Sequence, residues 1–63
     1  MAWLAVDKDG TECLFKYLPS RGSISEEWFA SIDTIQSNIV LVHGSIKALI
    51  GKDLTWKDEP VEI

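Results

Sequence analysis

The side chains able to do chemistry are few and scattered. Among 63 residues there is one cysteine, Cys13, and one histidine, His43. Nucleophilic catalysis needs an activated Ser or Cys, a base beside it and a third group to orient that base, and this inventory leaves little to build one from. Zinc needs four ligands, more than one thiol and one imidazole supply. Asp7-Lys8-Asp9-Gly10 resembles the opening of a calcium loop, but the position that should bring a bidentate Glu is Leu18. Gly44-Ser45-Ile46-Lys47 lacks the first glycine and the Lys-Ser/Thr ending of a phosphate loop. The carboxylate pairs Asp7 and Asp9, Glu26 and Glu27, and Asp58 and Glu59 are capable of acid-base work only in a pocket that perturbs their pKa values. In so short a chain they read as solvated charges. The expectation is no enzyme, no catalytic residue, no cofactor and no metal.

The elements that position these groups follow from alternation and punctuation. Trp3 to Val6 and Thr11 to Leu18 read as a β-hairpin, joined by a type I turn at Asp7-Lys8-Asp9-Gly10 with glycine in the left-handed bulge position. On its second strand Cys13, Phe15 and Tyr17 share one face, expected to be the core face, so Cys13 reads as a small buried apolar residue. Pro19 to Ser23 reads as a loop by composition. From about Ile24 to Gln36 two readings compete. Ser23 with Glu26 matches a capping box, and Trp28, Phe29, Ile32 and Ile35 have helical spacing; yet the same residues suit a strand from Glu27 to Ile32 that would form a meander with Asn38 to Val42.

Ile39 to Val42 is a continuous apolar run, which predicts a central strand covered on both faces. His43-Gly44 breaks it, at a junction where the imidazole can bond a carbonyl or cap a helix end. Ser45 is placed to cap a short helix beginning at Ile46, with Ile46, Leu49 and Ile50 on one face and Gly51 ending it. Beyond it, Leu54 and Trp56 are expected to reach back onto the core, and Val61 with Ile63 to add an edge strand. The fold class is therefore α+β: one small domain, 1–63, with an antiparallel sheet of three to four strands, an N-terminal hairpin and one short helix at about 45–51.

Such a domain buries only about 60% of the surface its unfolded chain exposes, so Trp3, Phe15, Tyr17, Trp28, Phe29 and Trp56 are expected to carry most of the packing. A formal net charge of −4, with six scattered basic residues, disfavours binding to nucleic-acid phosphates. The single cysteine excludes an intrachain disulfide and argues for a reducing compartment. Without a signal-like segment or an apolar run of roughly 20 residues, a cytoplasmic protein with no membrane contact is expected.

The opening WLAVDKDGTECLF, the spacing of Lys16, Pro19 and Arg21, Trp28, the segment IVLVHGSIKALIGKDLTW and the ending KDEPVEI resemble a family of short uncharacterised proteins carried by bacteriophages and mobile elements of gut bacteria. The ending GSIKALIGKDLTWKDEPVEI is the most specific part. His43 departs from that pattern, which resembles Lys at this position. The resemblance implies an extended region around Trp28 and a bacterial host cell, but no activity. With the missing chemistry, it implies an accessory protein that binds a host or phage protein, with Trp28, Asp58, Glu59 and Glu62 as candidate contact residues. The alternatives are a nucleic-acid-directed protein, either an acidic DNA mimic or a weak single-strand binder using exposed Trp, and a protein that self-associates through an uncovered sheet edge to form a homo-oligomer.

Overall fold

The expected turn brings the first two strands together. In the computed structural model, which describes residues 2–30 and 38–63, β1 (Trp3–Val6) pairs antiparallel with β2 (Glu12–Phe15), Leu4 opposite Leu14 and Ala5 opposite Cys13. Asp7 and Thr11 close the hairpin through a backbone bond of 2.9 Å, and Gly10, at φ 93°, takes the left-handed conformation the bulge requires. β2 ends at Phe15, earlier than alternation suggested, and Tyr17 is exposed rather than on the core face.

β5 (Asn38–Val40) pairs with β2, and β6 (Val61–Glu62) pairs with β1, giving a four-stranded antiparallel sheet in the order β5-β2-β1-β6. The expectation of a central strand at Ile39 to Val42 is thus corrected: β5 lies at an edge, and Ile39, Val40 and Val42 are exposed. The centre belongs to the hairpin, whose Trp-Leu-Ala-Val run is equally apolar on both faces. Val61 does form the expected edge strand.

Two clusters cover the two faces of this sheet. Ala5, Cys13 and Phe15 pack with Trp28, flanked by Trp3 and Trp56. Leu4 and Val6 pack with Ile46, flanked by Leu14, Leu41, Ile50 and Leu54. The second cluster is what holds α1 (Ser45–Ile50), a helix too short to persist alone. Its C-terminus is left-handed Gly51, as expected, but its N-cap is Gly44 rather than Ser45, whose hydroxyl instead donates to the Val42 carbonyl at 2.6 Å.

Trp28 enters the first cluster from a second sheet that the loop reading of Pro19 to Ser23 did not anticipate. β3 (Pro19–Gly22) pairs antiparallel with β4 (Glu27–Ala30), Arg21 opposite Trp28 and Ser20 opposite Phe29. The region from Glu27 to Ala30 is a strand, not a helix, and β4 pairs with β3, not β5. Arg21 accounts for β3. Its guanidinium carbon lies 4.7 Å from the Trp28 ring centre and 5.0 Å from that of Trp56, so a turn-like sequence is held extended by a stacked cation. The helix and meander readings of residues 31–37 lie outside the described residues.

Candidate functional site

The acidic groups nearest the core have structural partners. Glu12, buried on β2, receives the Gly44 N–H at 2.7 Å on one carboxylate oxygen and the Ile46 N–H at 2.8 Å on the other. It is an N-cap supplied from another strand, satisfying donors that a helix start leaves open. These backbone bonds, aided by nearby His43, hold its carboxyl below its ordinary value. His43 Nδ1 stands 3.3 Å from the same carboxylate, but its side chain is 95% exposed. The junction expected to engage His43 with a carbonyl or helix end places it beside a helix-capping acid.

Asp7 performs a similar task for the second sheet. Its Oδ1 accepts the Trp28 backbone N–H at 2.8 Å, and its Oδ2 lies 3.9 Å from the Cys13 sulfur. Cys13 is buried, as alternation predicts, and burial, with the Asp7 charge next, pushes its thiol up to about 11. A thiol protonated throughout the neutral range is a weak nucleophile. Lys8 ties the β3–β4 turn to the hairpin turn by a 2.8 Å ion pair with Glu26 and a backbone bond to the Glu26 carbonyl.

A hollow of about 300 Å³ lies between these groups, with Asp7, Glu12, His43, Asp53 and Trp56 on its walls. The two innermost carboxylates there, Asp7 and Glu12, are engaged by backbone N–H groups. Among the described residues no group of three or more His, Cys, Asp and Glu side chains is placed to hold a metal, and no helix is long and apolar enough to cross a membrane.

The four candidate contact residues separate. Trp28 is 7% exposed, and its indole donates to the Val6 carbonyl at 2.8 Å. It is a core anchor, so its assignment to a contact surface is corrected: an indole between two sheets is worth more buried than displayed. Trp3 and Trp56 are half-buried against the same cluster, which leaves none of the three tryptophans as a free stacking platform. Asp58 accepts the Thr55 N–H at 2.7 Å and organises its own turn. Glu59 is exposed and pairs with Arg21 at 2.9 Å; Glu62 is exposed on β6.

Sequence reasoning missed the apolar surface of the β3–β4 ribbon. Opposite the Trp28 face, Phe29 lies over Gly22, and a shallow hollow of about 420 Å³ is lined by Arg21, Gly22, Ser23, Ile24, Ser25 and Phe29. Ile24 is 97% exposed at the turn and Phe29 50%. The signal was Ile24 itself, an aliphatic residue inside a Ser-rich turn, masked by the competing helix reading. Arg21 contributes to the rim of this hollow, but its guanidinium stacks on Trp28 and Trp56 and pairs with Glu59 on the other face of the ribbon.

The fold and these surfaces define a small α+β domain of two antiparallel sheets with one short helix. Compared with protein-family models, curated proteins and solved structures, the chain matches none.

Proposed function

We propose that this chain is a small non-enzymatic accessory protein of a phage or mobile element, acting in the host cytoplasm by binding a host or phage protein. The observation that carries the reading is the exposed Ile24 and Phe29 beside one shallow hollow of the β3–β4 ribbon, with the exposed carboxylates of Glu59 and Glu62 as a second, charged surface. Large apolar side chains exposed together on a small domain mark a protein contact. The groups that chemistry would need, Glu12, Asp7 and Cys13, are committed to capping, strand docking and core packing.

Affinity capture from nuclease-treated host lysate tests the reading, with wild type compared with Glu59→Lys/Glu62→Lys. A specific protein retained by wild type, lost at high salt and weakened by the charge reversal supports it. Capture that survives the reversal unchanged removes the acidic end from the contact. Salt-dependent retention of the chain on single-stranded DNA, with no protein captured, contradicts the reading.

A further inference from the structure

The two outer edges of the four-stranded sheet differ in a way that bears on self-pairing. β6 carries charged Glu62 and follows Pro60, both devices that discourage another strand from adding to an edge. β5 has neither. From Asn38 to Val42 there is no charge and no proline, in a chain of net charge −4, and Ile39 and Val40 are 60% and 66% exposed.

The hydrogen-bond phase of β5 shows what that edge offers. Leu41 N–H donates to the Glu12 carbonyl at 2.8 Å, and the register places Ile39 opposite Leu14 and Val40 opposite Cys13. In an antiparallel pair every second residue turns its backbone groups toward the neighbour, so Leu41 and Ile39 face β2 while Val40 and Asn38 face outward. The outward N–H and C=O groups of Val40 and Asn38 have no partner among the described residues. The next carbonyl along, Val42, already accepts from the Ser45 N–H and hydroxyl.

We propose that two copies of the chain pair antiparallel through β5 about a two-fold axis at Ile39, joining their sheets into one of eight strands, four from each copy. In this register Val40 of each copy faces Asn38 of the other, and all four outward groups are used. Ile39 meets its own counterpart in a non-hydrogen-bonded pair, where side chains approach most closely. A two-fold pairing closes on itself. The guarded β6 edge then keeps the joined sheets from extending into a fibre. The total surface of one chain is 4392 Å², so the roughly 800 Å² per partner of a standard interface would take nearly a fifth of it. One short strand covers less than that, which makes the dimer weak and dependent on concentration.

Sedimentation equilibrium from about 10 µM to 1 mM tests the pairing, because a weak edge contact populates the dimer in this range. The mass should rise from 7.1 kDa toward twice that value. Val40→Pro removes only an outward N–H, a placement proline tolerates on an edge strand, and Ile39→Lys sets two like charges opposite each other; each should weaken the dimer about tenfold or more. Near-ultraviolet circular dichroism confirms that the variants stay folded. As a second measurement, Ile39→Cys in a Cys13→Ala background should oxidise to a covalent dimer, since a Cα separation of about 4.5 Å across such a pair admits a disulfide. Val42→Cys in the same background should not. A wild type monomeric at 1 mM, a dimer indifferent to both edge variants, or equal crosslinking at the two cysteine positions would overturn the proposal.

Discussion

Glu12 of β2 accepts a hydrogen bond at 2.8 Å from the backbone N–H of Ile46, 34 positions further along the chain. That bond and its companion to Gly44 fasten α1 to the sheet from outside the helix. Glu12→Ala should therefore lower stability by about 1–3 kcal/mol, since it removes a cap and leaves partly buried N–H groups unpaired. Urea denaturation followed by tryptophan fluorescence measures this.

The same carboxylate sets an acid limit. Its folded pKa is depressed below the ordinary 4.5, so its contribution is present above that value and is lost as pH falls through the depressed one. Stability should fall below about pH 4.5, and Glu12→Gln should flatten that part of the profile, measured as thermal midpoint against pH.

Asp7 and Trp28 make the corresponding connection for the second sheet. Asp7→Ala leaves the Trp28 N–H buried without its acceptor and should cost about 1–3 kcal/mol. Asp7→Asn keeps an oxygen in place and should cost less. Equal losses in urea midpoint would show that the charge matters more than the hydrogen bond.

Cys13 sets an alkaline limit. Its folded pKa is raised to about 11 from 9.0, so the folded state holds its proton more tightly and stability should decline as pH rises between these values. Cys13→Ala should remove that decline. At pH 8 the native thiol should react with Ellman's reagent far more slowly than the urea-unfolded chain.

The parts of the fold legible in the sequence are those whose causes are local. The Asp7–Gly10 turn, the alternation of Cys13 with Phe15 and the Gly51 helix end each lie within a few residues of what they determine. β3 is not legible because Pro19-Ser20-Arg21-Gly22 has turn composition, and Arg21 is held extended by Trp28 across the ribbon and by Trp56, far later in the chain. The helix cap is not legible at Ser45 because the acceptor for the first N–H groups, Glu12, lies on a strand far earlier in the chain. The apolar run at Ile39 to Val42 reads alike for a covered centre and a bare edge, and only pairing order separates them. The ribbon site was hidden because Ile24 and Phe29 look like core when periodicity is read as helical.

Trp28 also shows how a contact assay on this protein can mislead. Trp28→Ala should cost about 3–5 kcal/mol in so small a core, so loss of a partner in that variant reports unfolding. Ile24 is the better probe, because its side chain lies almost wholly in solvent. The most direct test measures the affinity of the captured partner by titration calorimetry for wild type and Ile24→Asp, with unfolding curves for both. Binding weakened at least about tenfold at unchanged stability is the predicted result. Equal affinity for the two proteins would contradict the ribbon as the contact surface.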